Sequence, residues 1–367
     1  MELSWLEVSG FRSYESLSLR PATGVNVLIG DNGSGKTSVL EAIGYLATLK
    51  SFRRAPDAAL VADGADSAIV RGEFTSAGGK ALVEIENPAA GRRQVRLNGK
   101  RAQSRAEVAS LIALVAFLPD DLDLVKRGPA YRREYLDDLA VQLWPSAAAD
   151  QQEYERAVRQ RNALLRREGR HSDPTTLDVL DERIAVLGSA VLHRRLRATA
   201  QVAPVLAGLF GVLGDSLAEL GWRYEAAGLD VVEGTPERDA LEEGLHKAVA
   251  AAREGDMERR VTTVGPHRDE IVFLIDDRDA RTRASQGEQR SIALGLRIAA
   301  YEVISEQRAL VPILLLDDVF SELDPGRSQR LVERLPDGQV FVTSAREEEV
   351  PLVGQRWSVS GGNVVAA

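Results

Sequence analysis

Apolar and polar positions along this chain change period several times. Residues 25–29, Val-Asn-Val-Leu-Ile, form a short apolar run that ends at a glycine-rich segment. That is the form of a strand buried on both faces. After the glycines, Val39, Leu40, Ile43, Leu46 and Ala47 recur at the spacing of one helix face, which predicts a helix over 37–49. Upstream, Leu3, Trp5 and Val8 alternate imperfectly and predict a strand over 2–9. Between 68 and 97 three runs, 69–74, 81–87 and 94–97, read as successive hairpin strands, and Asn98-Gly99 is a strong tight-turn signal.

The character changes near Pro119. From 131 to about 213 the chain is rich in Arg, Glu, Ala and Leu, and 131–143, 147–167 and 177–200 read as helices, the last two separated by a break at 169–174. Strand-like sequence returns at 270–275. Ile292, Leu296, Ala299, Ala300, Val303 and Ile304 then mark a helix face. Two apolar strands follow at 311–316 and 339–343, with a helical segment at 326–335 between them. This β-α-β order argues a mainly parallel sheet covered on both sides, built from both ends of the chain. The expected division is 1–125 and 256–367 as two halves of an α/β head, with 126–255 as a helical insertion.

Composition narrows the classes. With 44% hydrophobic and 28% charged residues, the 367-residue chain reads as globular. No apolar run approaches the roughly 20 residues of a membrane span. The first residues lack an export signal. There is no cysteine, and with four histidines and no His-Glu-x-x-His pattern a transition-metal site is not expected. These features fit a cytoplasmic protein. The net charge of −9 argues against nucleic-acid binding unless the positive charge is localised. Six arginines between Arg156 and Arg170, and a second cluster at Arg194, Arg195 and Arg197, are such localised charge. Equally, they are a solvated helix face balanced by nearby acids.

Three motifs carry chemistry. Gly30-Asp31-Asn32-Gly33-Ser34-Gly35-Lys36-Thr37 fits the phosphate-binding loop, flanked by the strand and helix that such a loop requires. Its glycines let backbone N–H groups close on phosphate oxygens, Lys36 supplies a charge to the β- and γ-phosphates, and Thr37 offers a hydroxyl to Mg²⁺. The strand ending in Asp317-Asp318 is a candidate Mg²⁺ strand. Asp317 would hold the ion, directly or through water, and Asp318 would orient or deprotonate the attacking water. Ser285-Gln286-Gly287-Glu288-Gln289 opens a helix. Ser285 and Glu288 have the spacing of a capping box, and Ser285 with the Gly287 backbone also has the makings of a second anion site.

Together these motifs resemble the RecF family of bacterial recombination-mediator ATPases, related to the heads of SMC proteins and ABC transporters. The resemblance extends to 10–14, 118–126, 160–165 and 264–269, so it covers nearly the whole chain. It implies an ABC-type ATPase head, mainly parallel with an antiparallel β subdomain, carrying an inserted helical domain. It implies ATP and Mg²⁺ as cofactors and an ATP-dependent homodimer in which Ser285, Gly287, Glu288 and Gln289 complete the partner's nucleotide site. It also implies binding to gapped and single-strand–double-strand junction DNA, and action with RecR and RecO in loading RecA. Arg12 matches a head-domain arginine that approaches the nucleotide, although a surface arginine after an edge strand fits as well. Asp324 matches a loop that signals across the dimer. His267 is open to a structural role.

Two departures from transporters stand out. Asp318 replaces the usual Glu, and Thr343-Ser344 stands where a switch histidine is expected. Both suggest weak ATPase activity suited to a switch. The rivals are an SMC-like chromosome-organising ATPase, which needs a long coiled coil, an ABC transporter subunit, which needs a membrane partner, and a small-molecule kinase, which does not need 285–289.

Overall fold

The structure, a computed structural model, describes residues 1–214, 217–230, 234–335 and 337–367. It divides into two compact units: Met1–Asp121 with Val212–Gly214 and Leu294–Ala367, and 122–211 with 215–293.

The first unit contains two six-stranded sheets. One has the order Asn363–Ala366, Gln355–Ser360, Val25–Ile29, Val340–Ser344, Ile313–Leu316, Leu114–Phe117. All its pairings are parallel except the terminal hairpin. Strands 25–29, 340–344 and 313–316 thus come from both ends of the chain, as the β-α-β pattern predicts. Their register aligns Leu28 with Thr343 and Leu316 with Val342. The glycine loop, Thr343 and the acidic pair therefore emerge together at the carboxyl ends, where open α/β sheets bind ligands.

The other sheet is antiparallel, in the order Tyr14–Leu19, Glu2–Phe11, Ser67–Ser76, Gly79–Pro88, Gln94–Leu97, Lys100–Arg101. Asn98 and Gly99 both have positive φ, 51° and 77°, as a two-residue hairpin turn requires. Helix Lys36–Thr48 is apolar on nearly all sides and buried along almost its whole length. Its Leu40, Ile43 and Leu46 share one core with Leu6, Phe11 and Phe74 of the antiparallel sheet and Leu315 and Phe341 of the parallel one. Each such side chain contributes about 1.5–3 kcal/mol by burial. The helix that follows the loop is thereby fixed, and the loop with it.

The second unit is mostly helical. Helices Pro129–Leu143 and Ala147–Glu168 match expectation closely. Helix Pro174–Gly214 runs well past the expected end at 200, through Pro204, because Val202, Leu206, Leu209, Phe210 and Leu213 continue a buried face. This helix is long and apolar enough to cross a membrane by length and composition, contrary to the expectation that no segment is. Within its apolar stretch Val202, Leu206, Leu209 and Phe210 are buried in the protein. Residues 256–293 sit with this unit rather than with the head, because strand Glu270–Ile275 pairs with Leu220–Glu225.

Candidate nucleotide site

Glycines at 30 and 35 are dictated by their surroundings. A Cβ on Gly30 would lie 2.2 Å from the Val359 carbonyl oxygen, and one on Gly35 would lie 2.6 Å from the Tyr14 hydroxyl. Gly35 also has φ 109°, which a side chain disfavours. The loop closes on itself through Ser34 N–H donating to the Asp31 carbonyl at 3.1 Å. Lys36 Nζ folds back to donate to the carbonyls of Gly30 at 2.6 Å and Asp31 at 2.9 Å. Burial lowers its pKa, opposed by the charges of Asp318, Asp317 and Asp31.

Asp317 is buried and receives two hydroxyls on one oxygen. Thr37 Oγ1 donates to Oδ1 at 2.9 Å and Thr343 Oγ1 donates to it at 2.7 Å. Burial raises the Asp317 pKa, against these two donors and Arg53. Asp318 adopts left-handed backbone, φ 54°, a conformation that costs a non-glycine residue about 1 kcal/mol or more. Two contacts hold it there. Its N–H donates to Thr343 Oγ1 at 2.9 Å, and its carbonyl accepts from Ser321 Oγ at 2.8 Å.

Arg12, Asn32, Gly33, Gly35, Lys36, Thr37, Asp317 and Asp318 line one cleft of about 530 Å³. Gly30, Asp31 and Ser34 complete the loop beside it. Arg53, Asp63 and Thr343 line it too. From the sequence Thr343 stands out only as part of the Thr343-Ser344 pair at the switch position and Arg53 only as a basic residue of the head, a DNA candidate after 156–170; Asp63 is not singled out. Arg12 also has left-handed backbone, and its guanidinium forks onto Glu41, Nε and Nη2 each donating at 2.8 Å. Glu41 is fully buried and accepts the Ser51 hydroxyl as well.

The donor set suits ATP with Mg²⁺. The Ser34 and Tyr14 hydroxyls and Asp318 Oδ1 are buried beside the loop with no partner, which in a folded protein calls for a ligand or water. Among the described residues no group of three or more His, Cys, Asp or Glu side chains that could hold a metal ion occurs. A hard cation would therefore take Thr37 and Asp317 plus phosphate and water oxygens, as Mg²⁺ does.

The segment 285–289 lies in the second unit. There the capping box forms: Glu288 N–H donates to Ser285 Oγ at 3.2 Å, and Ser285 N–H donates to Glu288 Oε2 at 2.7 Å. Gln289 Nε2 donates to the Ala284 carbonyl at 2.9 Å, while its buried Oε1 has no partner. Asp324 caps helix Pro325–Val332 by accepting from Arg327 N–H.

The arginines expected to meet DNA at 156–170 are largely engaged locally. Arg161 is fully buried and paired with Asp181 and Asp256, each at 2.6 Å. Arg156, Arg159, Arg167 and Arg170 each pair with a nearby glutamate. Arg195 is buried against Asp137. Asn162 Oδ1 accepts from Thr262 N–H at 2.7 Å and from its hydroxyl at 2.8 Å. His267 has a structural role: one ring nitrogen meets the Tyr154 hydroxyl at 2.8 Å and the other the Thr262 carbonyl at 3.1 Å, and burial lowers its pKa to about 4.

Residues 2–360 match the family model described as RecF/RecN/SMC N terminal domain. A protein of Frankia alni named DNA replication and repair protein RecF is 42% identical over 381 residues, spanning 100% of both chains. The solved structure of the recombination mediator protein RecF with ATP, in the RecFOR pathway, superposes with a TM-score of 0.92 at 28% identity, covering 100% of this chain and 97% of that one. An Smc head bound to the C-winged helix domain of ScpA shares the fold at 18% identity and a TM-score of 0.58, over 100% of this chain and 98% of that one.

Proposed function

The chain belongs to the RecF family, and from that premise we propose that it is an ATP-switched, DNA-binding protein of recombinational repair. The observation that carries the proposal is the convergence of Lys36, Thr37 and Asp317 on one cleft bordered by partnerless buried polar atoms. Lys36 leaves the loop carbonyls to meet the β- and γ-phosphates. Thr37 and Asp317 would hold Mg²⁺, which when bound would neutralise charge developing on the phosphate oxygens. Asp318 orients or deprotonates water at the γ-phosphate. Its short side chain makes hydrolysis slow.

Two chains close head to tail around ATP, and Ser285, Gly287, Glu288 and Gln289 of each complete the site of the other. The Ser285 hydroxyl adds a phosphate contact by donating its proton while its oxygen keeps the capping bond. Arg12 approaches the nucleotide with its fork already fixed by Glu41.

For DNA, the edge of the antiparallel sheet is favoured over 156–170. Arg96 and Arg101 face each other across strands, an arrangement that like charges disfavour. They stand exposed with Arg92 and Lys100, and none of the four has an ion pair among the described residues. Such unpaired charge suits phosphate. The preferred DNA is gapped or carries a single-strand–double-strand junction, and RecR and RecO act with the protein to load RecA. Equilibrium binding of a fluorescent ATP analogue, with and without Mg²⁺, tests the nucleotide assignment. Absence of binding at millimolar analogue would overturn it.

A further inference from the structure

Thr343 is the penultimate residue of strand Val340–Ser344 and the first of the Thr343-Ser344 pair that stands in place of the transporters' switch histidine. Its hydroxyl has its one proton and one of its two lone pairs engaged. The proton goes to Asp317 Oδ1 at 2.7 Å, and the oxygen accepts from the Asp318 N–H at 2.9 Å. The residue is 1% exposed. One side chain thus joins the Asp317 carboxylate, which Thr37 also holds, to the left-handed backbone of Asp318, which Ser321 also holds. Strand pairing keeps the geometry rigid, because Leu316 lies opposite Val342 in parallel register.

We infer that Thr343 is a positioning residue for the acidic pair, setting the metal affinity of Asp317 and the aim of Asp318, and that it does not sense the γ-phosphate. The inference rests on reading the cleft as an ATP–Mg²⁺ site. A hydroxyl engaged by both neighbours has nothing left to offer a phosphate, whereas loss of a group that orients a metal ligand typically weakens metal affinity or activity about 10–100-fold. Asp317 keeps Thr37 as its second donor, so its carboxylate stays paired when Thr343 is altered.

The test compares wild type, Thr343→Val and Thr343→Ser by fluorescent ATP and ADP analogue binding across a Mg²⁺ titration, with melting temperature recorded for each. Valine keeps the shape and removes the hydroxyl. In EDTA, Thr343→Val should bind both nucleotides as wild type does and keep the same ATP-to-ADP preference. Its half-saturating Mg²⁺ concentration should rise about tenfold or more. Thr343→Ser should restore the wild-type Mg²⁺ dependence. An unchanged Mg²⁺ dependence in Thr343→Val overturns the inference. So does a changed ATP-to-ADP preference, which would make Thr343 a phosphate sensor. A parallel fall in melting temperature and in Mg²⁺-free binding, not rescued by serine, would reduce it to packing. Failure of the wild-type chain to bind either nucleotide would overturn the ATP reading itself, and this inference with it.

Discussion

Thr37 Oγ1 donates to Asp317 Oδ1 at 2.9 Å, although the two residues lie 280 positions apart. The bond joins the start of the loop helix to the end of a strand from the far end of the chain. It exists because parallel pairing brings 25–29, 340–344 and 313–316 side by side. Without that closure the glycine loop would bind phosphate but have no acidic partner for a cation.

Lys36→Ala should therefore weaken ATP binding by about tenfold or more, the scale of a lost charge-assisted hydrogen bond. Hydrolysis should disappear while circular dichroism stays unchanged. Isothermal titration and a phosphate-release assay check both. Wild-type affinity and turnover in this variant would overturn the assignment of the loop.

The DNA surface predicts a contrast between two variants. Replacing Arg96 and Arg101 together by Ala should flatten the slope of log K against log salt by roughly one unit per contact. Replacing Arg159, Arg166 and Arg167 by Ala should leave it nearly unchanged, since Arg159 and Arg167 are already paired with acids and Arg166 donates to the Asn162 carbonyl. Fluorescence anisotropy at several salt concentrations distinguishes them, and the reverse pattern would return the DNA contact to the helical unit.

His267 gives a pH dependence of stability. Its folded pKa is about 4, against an ordinary 6.5, because burial disfavours the charged ring. The unfolded chain therefore takes up a proton between these values and the folded one does not. The stabilisation is full above pH 6.5 and is lost as pH falls toward 4. Its size is about 3 kcal/mol. Subtracting the stability curve of His267→Gln from that of wild type, by urea unfolding across this range, isolates the effect. A difference independent of pH would contradict it.

Much of the head is legible in the sequence because its signals are local. The loop, the strand before it and the helix after it sit within 25 residues, and the acidic strand is a continuous apolar run. What escapes is non-local. Arg161 reads as one charge on a basic helix, yet its acids are 20 and 95 positions away. Helix Arg238–Arg259 offers only Leu241, Leu245 and Val249 as buried apolar positions in an alanine- and charge-rich run, too sparse a stripe to stand out. Pro204 reads as a stop, but it is exposed on a helix whose other side is buried. Thr343 shows in the sequence only as part of the pair at the switch position; its bonds to both aspartates appear once neighbouring strands bring its hydroxyl to them.

If hydrolysis needs two chains, two inactive variants should complement. Ser285→Arg should bind ATP without dimerising, and Lys36→Ala should supply an intact 285–289 segment. Their mixed dimer has one composite site with both lesions and one with neither, so mixing should recover up to about half of a wild-type dimer's activity, limited by mass action. Phosphate release from the mixture is the readout. No recovery at high protein concentration would show that each chain hydrolyses ATP alone.

The most direct measurement is molar mass in solution by light scattering, with and without ATP–Mg²⁺. Asp318→Asn is the variant of choice, because slowed hydrolysis should trap the ATP-bound state. Without nucleotide the mass should be that of one chain, 39.9 kDa. With ATP–Mg²⁺ it should double, and Lys36→Ala should remain single under the same conditions. A mass that ATP–Mg²⁺ leaves unchanged, in a protein shown to bind it, would contradict the switch.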